Sequence, residues 1–141
     1  MINFLYLAHS TERFRKQTVF SILSLLEYLN EGKIEYRIIV YTDEPAYFNC
    51  LEVETQLIDS AQIDEWKGPD KFVHRCKICM IIDAAEKFEG KLVYLDSDNC
   101  VFRSPVQMLK DWKEDLAIMQ DLEYVLENPA DLMGKKVQAV F

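Results

Sequence analysis

The stretch Lys91-Leu92-Val93-Tyr94-Leu95-Asp96-Ser97-Asp98 decides the fold. Leu92 to Leu95 is an unbroken apolar run, and such a run reads as a fully buried strand of a parallel sheet. Asp96 and Asp98, spaced i, i+2, then fall at the carboxyl end of that strand. In open α/β sheets this is the edge where ligands bind. Two carboxylates there repel each other unless a cation or a proton separates them. An oxygen-only pair suits Mg²⁺ or Mn²⁺, completed by substrate phosphates.

Outward from this stretch, strand-like and helix-like segments alternate. Ile2 to Ala8 is apolar and β-rich. Ser10 or Thr11 is placed to cap the following helix, whose stripe is Val19, Phe20, Ile22, Leu23, Leu26 and Leu29. Asn30-Glu31-Gly32 ends it, with Gly32 suited to a left-handed cap. Tyr36 to Tyr41 is a second strand running into the turn Thr42-Asp43-Glu44-Pro45. Leu51, Val53, Thr55 and Leu57 alternate with polar residues, which marks a strand with one wet face near a sheet edge. Gly68-Pro69-Asp70 breaks the chain and caps a helix with Ile78, Ile81, Ile82, Ala85 and Phe88 on one face; Gly90 ends it. Ser104-Pro105 opens another helix, with Pro at its tolerated first position. Leu116 to Met119 reads as a short strand ending at Gln120-Asp121. Strands alternating with helices mean βαβ units, so the expected class is α/β with a mostly parallel sheet flanked by helices, in one domain over 1–141.

Composition narrows the function classes. The 141 residues suffice for one domain with a real core, and half are apolar. The formal net charge of −8 argues against nucleic acid as a partner, though not against a nucleotide brought in by a divalent ion. No segment approaches the roughly 20 apolar residues of a transmembrane helix, which leaves only peripheral membrane association. Met1-Ile2-Asn3 leads straight into a strand without a basic leader, so a cytoplasmic location is expected. Cys50, Cys76, Cys79 and Cys100 then read as free thiols. Cys76 and Cys79 fall inside a helical pattern without a second ligand pair, so they are expected to pack rather than bind zinc or cycle between redox states.

These residues resemble a known family. Arg75-x-Lys77, an apolar helix, and the Asp96-Ser97-Asp98 strand, followed by Asn99 to Phe102 and Arg103-Ser104-Pro105, resemble the donor-binding half of GT-A glycosyltransferases. The nearest group is family 8, that of glycogenin and the lipopolysaccharide galactosyl- and glucosyltransferases. The resemblance implies a Rossmann-like GT-A nucleotide-diphospho-sugar transferase fold. It implies hexosyl transfer from a nucleotide-sugar donor, a UDP-sugar by preference, to a saccharide or lipid-linked acceptor, with Mn²⁺ or Mg²⁺ between the acidic motif and the diphosphate. Asp98 would ligate the metal, and Asp96 the metal, the ribose or both. Arg75 would contact the donor, with Lys77 as the alternative for that role. Ala8 and His9 in the first loop and Ser97 complete the implied donor site. Asp43 also follows a strand's carboxyl end and so faces the same cleft, either as a nucleoside contact or as an ordinary turn residue. No catalytic nucleophile is implied.

Family members run on through an Asn-x-Gly segment and a distal His, neither of which is found here. The chain is therefore expected to be the truncated donor-binding part of such an enzyme, and to transfer no sugar by itself. Three other readings remain open at this point. The acidic pair can be a solvated turn. It can be a haloacid dehalogenase-like motif with Asp96 as nucleophile. The whole chain can be a non-catalytic nucleotide- or partner-binding remnant. His9 and His74 read as structural or solvent-facing, Glu12, Glu27, Glu86 and Glu89 as helix surface, and Tyr6, Tyr41 and Tyr94 as core.

Overall fold

A computed structural model describes residues 1–30 and 34–113. Gly32 and the segment Leu116 to Met119 lie outside the described residues. In chain order the elements are β1 (Ile2–Ala8), α1 (Glu12–Leu29), β2 (Tyr36–Thr42), a 3-10 turn (Pro45–Phe48), β3 (Glu54–Leu57), α2 (Ser60–Lys67), α3 (Arg75–Lys87), β4 (Lys91–Tyr94) and α4 (Val106–Asp111). The four strands form one sheet in the order β3-β2-β1-β4, and every pairing is parallel. The class is thus α/β with a parallel sheet flanked by helices, compatible with a Rossmann-like fold.

The sheet is covered on both faces, as a parallel sheet must be. Alternation along β1 sends Phe4, Tyr6 and Ala8 to one side, where Ile22, Leu25 and Leu29 of α1 and Val106 and Leu109 of α4 meet them. Leu5 goes to the other side, with Ile39 and Tyr41 of β2, Ile63 of α2 and Met80 and Ala84 of α3. Tyr6 and Tyr41 are fully buried, and each hydroxyl has a partner: Ser21 at 3.1 Å and Asp83 at 2.7 Å. Thr11 is the cap of α1, its hydroxyl accepting from the Phe14 amide at 3.3 Å.

Several expectations change. α2 was not foreseen; Asp59 caps it through the Gln62 amide at 2.8 Å, and Gly68, not a helix start, closes it. α3 begins at Arg75 and buries Cys76, Met80 and Ala84 at i, i+4, i+8, while Ile78, Ile82 and Ala85 face out. On α1, Phe20 and Leu23 are exposed, and Thr18, Ser21 and Leu25 take the inner positions. Ser21 is inside because the buried Tyr6 hydroxyl needs it. β4 is half-buried throughout rather than fully buried, and among the described residues β1 is its only neighbour. β3 lies at the other edge, as its alternation predicted.

β4 is locked in place at its start. Gly90 has φ +107°, and a Cβ there would sit 2.6 Å from the Met1 carbonyl oxygen, so no other residue fits without displacing the backbone. The fully buried Asn3 amide donates to the Glu89 and Lys91 carbonyls at 3.0 and 3.4 Å. These contacts fix the register that carries Asp96 and Asp98 to the opposite edge.

Candidate functional site

The order β3-β2-β1-β4 contains a reversal. The chain moves from β1 through β2 to β3, then returns past β1 to form β4. The switch point lies at the carboxyl ends of β1 and β4, the place where doubly wound sheets open a crevice for ligands. Ala8 and His9 end or follow β1 there, and Asp96-Ser97-Asp98 follows β4.

The two aspartates go different ways. Alternation along β4 puts Leu92 and Tyr94 against the α2–α3 side. Asp96 keeps that direction and meets Lys77 of α3, whose ammonium lies 2.6 Å from its carboxylate. The Tyr94 hydroxyl also donates to it. Burial pushes the Asp96 carboxyl up, but those two hydrogen bonds, with the charges of Lys77 and His74, outweigh it and hold the group below the usual carboxylate range. Burial, and after it the same contact, push the Tyr94 phenol well above its usual range. Ser97 and Asp98 then turn, with the Asn99 amide donating to the Asp96 carbonyl at 3.1 Å. Asp98 is exposed and comes to the α1 side, where it and Asn99 line a shallow depression of about 310 Å³ with Lys16, Gln17 and Phe20. No hydrogen bond or ion pair holds the Asp98 side chain among the described residues.

Asp43 shares the edge but not the same position. It follows β2, separated from β4 by β1, so about 10 Å of sheet lies between their axes. Its carboxylate accepts the Ser10 amide at 2.9 Å and Arg15 at 3.0 Å, and Arg15 also holds Glu44 at 3.0 Å. Ser10 is thereby fixed at φ +77°, a left-handed conformation unusual for a residue other than glycine. Its hydroxyl meets Nδ1 of His9. Burial pushes the His9 imidazole down; Asp43 opposes this and Lys67 adds to it.

Arg75 is turned away from the acidic motif. Its guanidinium donates to the carbonyls of Glu65 and Trp66 at 2.9 and 2.7 Å, closing the end of α2. Lys77, the alternative, is the cation that reaches Asp96. The sequence places it on the same helix but gives no direct sign of a pairing across 19 positions. His74 is exposed beside Phe72, and Glu12, Glu27, Glu86 and Glu89 are exposed as expected. The thiols of Cys76 and Cys79 each lie 3.9 Å from a carbonyl of α2, and all four cysteines are unpaired.

Among the described residues, no group of three or more His, Cys, Asp or Glu side chains gathers closely enough to hold a metal ion. Asp98 is open and unpaired and offers hard oxygens, while Asp96, two residues before it, faces the other way and is held by Lys77 and Tyr94; Mg²⁺-type sites commonly take one or two carboxylates and fill the rest with phosphate and water. No described helix is long and apolar enough to cross a membrane. Comparisons with protein-family models, with curated proteins and with solved structures find no match.

Proposed function

We propose that this chain binds a nucleoside-diphosphate sugar together with a divalent cation, as the donor-binding part of a glycosyltransferase of the GT-A kind. The observation that carries the reading is an acidic Asp-Ser-Asp turn at the carboxyl end of β4, beside the switch point with β1. A nucleotide across that crevice would meet the His9-Ser10 loop at one end and the acidic turn at the other. Asp98 and Asp96 would hold Mn²⁺ or Mg²⁺ against the diphosphate. Bound there, the cation supplies Lewis-acid stabilisation of the departing nucleoside diphosphate. Lys77, already at Asp96, would donate to phosphate oxygens and add a positive charge where negative charge develops. The depth of the motif in the chain, after the fourth strand, weighs against the haloacid dehalogenase-like alternative, whose nucleophile follows the first.

The reading predicts coupled binding. Without a metal, a diphosphate meets two carboxylates; without a diphosphate, the metal has too few ligands. Mn²⁺ with UDP, GDP, ADP or CDP should therefore raise Tm far more than either component alone. Ligand at 100 times its Kd adds about 2.7 kcal/mol of apparent stability. Asp98→Asn should remove most of the coupled shift while the unliganded protein stays folded. No shift in the wild type with any of the four nucleotides, or an equal shift in Asp98→Asn, refutes the clamp.

A further inference from the structure

The outer face of α3 carries a stripe that the core does not use. Cys76, Met80 and Ala84 turn inward to the sheet. On the opposite side Arg75, Ile78, Ile82 and Ala85 follow one another at spacings of three, four and three, the spacing of contact positions between paired helices. Ile78 is 58% and Ile82 55% exposed, and Ala85 is exposed as well. Two isoleucines at i, i+4 form one contiguous apolar ridge on the helix surface. Phe72 and Val73, exposed just ahead of the helix, enlarge it.

Charge is divided along the same face. Arg75 opens the helix, with exposed Lys71 ahead of it. Glu86 lies in the last turn and Glu89 just past it; both are exposed, and neither carboxylate has an ion-pair partner among the described residues. A cation in the first turn and a carboxylate in the last each oppose the helix dipole. The arrangement is unfavourable for a lone helix and favourable for two that run in opposite directions.

We propose that α3 is the interface of a two-fold homodimer in which the α3 helices of two copies lie antiparallel. With the axis between Ile78 and Ile82, Ile78 of each chain meets the partner's Ile82, and Arg75 meets the partner's Glu86. Small Ala85 leaves room for the Arg75 stem. Arg75 keeps its two bonds to the α2 carbonyls, because a guanidinium has further N–H donors. A parallel pairing would instead set Arg75 on Arg75 and Glu86 on Glu86. The contact is isologous and therefore closes as a dimer. A single pair of 13-residue helices makes a small interface, so micromolar association is expected.

Sedimentation equilibrium of the full chain from about 1 to about 500 µM tests this. Wild type is compared with Ile82→Glu, Glu86→Lys and, as a control on the other side of the sheet, Leu23→Glu. Melting curves at the lowest concentration accompany each. Wild type and Leu23→Glu should dimerise reversibly. Ile82→Glu should stay monomeric at every concentration with the Tm of the wild-type monomer. Glu86→Lys should raise the dimer Kd about tenfold, and it alters exposed charge alone, so it carries the test if Ile82→Glu fails to fold. A monomeric wild type refutes the interface; if Ile82→Glu then also melts lower, the face is covered from within the chain. A dimer that ignores Ile82→Glu, or one that Leu23→Glu weakens as much, refutes it too. Tighter association of Glu86→Lys would mean parallel helices and overturn the antiparallel pairing.

Discussion

Two acidic groups at the same sheet edge differ in how they are used. After β2, Asp43 is consumed by the fold: it fixes the Ser10 amide and pairs with Arg15, whose side chain is only 12% exposed and also holds Glu44. After β4, the carboxylates are less committed. Asp98 has no partner among the described residues, and Asp96 is held by a lysine and a tyrosine hydroxyl at a surface where both charges are a third or so exposed. A carboxylate at the carboxyl end of a parallel strand is therefore not by that fact a ligand. The β2 edge stabilises the first loop; the β4 edge keeps charge available.

The largest effect that tests this contrast is on the β2 side. Arg15→Met leaves Asp43 and Glu44 without their cation and removes the stacking of the guanidinium 5.7 Å from the Tyr47 ring. Losing this mostly buried guanidinium, with its two ion pairs to exposed carboxylates and its ring contact, should together cost about 2 kcal/mol, read as a fall of roughly 5–8 °C in Tm. A change below 1 °C would mean that the network is ornamental and the contrast false. Next in size is Ser10. At φ +77° a β-branched side chain is strained, so Ser10→Val should cost about 1–2 kcal/mol. Ser10→Gly should stay within about 0.5 kcal/mol of wild type, because glycine accepts that conformation freely and loses only unfolded-state restriction. Equal destabilisation by both, measured by urea unfolding, would show that the hydroxyl contact to His9 matters and the backbone does not.

What was legible in the sequence follows from which signals are local. The strand Ile2–Ala8, the strand from Tyr36 to Tyr41, which the structure extends by Thr42, and the cap at Ser10 or Thr11, which falls to Thr11, are written in short-range patterns; so is the edge strand, read from Leu51 but formed over Glu54–Leu57. α2 was missed because its eight residues bury one apolar side chain, Ile63, too little to make a stripe. On α1 the apolar stripe holds at Val19, Ile22, Leu26 and Leu29 and fails at Phe20 and Leu23; on α3 it holds at Ile81 and Phe88 and fails at Ile78, Ile82 and Ala85. The sheet instead accepts Cys76, Met80 and Ala84 on α3, and Thr18 and Ser21 on α1, where closer approach or a tyrosine hydroxyl calls for them. The acidic turn was visible at once. The commitment of Asp43 to Ser10 and Arg15, the use of Arg75 on α2 carbonyls, and the reach of Lys77 to Asp96 are long-range geometry that one sequence does not encode legibly.

The smallest stability effect, and the sharpest test of the contrast, belongs to Lys77. Asp96 is held below the ordinary carboxyl value of 3.8 in the folded protein. A depressed carboxyl contributes stability above its unfolded pKa and loses it as pH falls through the folded pKa. Lys77→Met should therefore be less stable than wild type near neutral pH and converge with it in acid, below the ordinary value. With side chains 30% and 42% exposed, the neutral-pH difference should be under about 1 kcal/mol. Unfolding by urea at about pH 7 and about pH 3 measures both; an equal difference at the two pH values would show that Lys77 acts by packing and not by charge. Ligands then separate a structural lysine from a poised one. The ammonium at Asp96 repels a second cation and attracts a diphosphate. Removing it should let Mn²⁺ alone stabilise the variant more than wild type, while the extra gain from adding UDP shrinks. If both ligand responses are unchanged, Lys77 is to Asp96 what Arg15 is to Asp43, a structural partner, and the β4 edge loses its distinction.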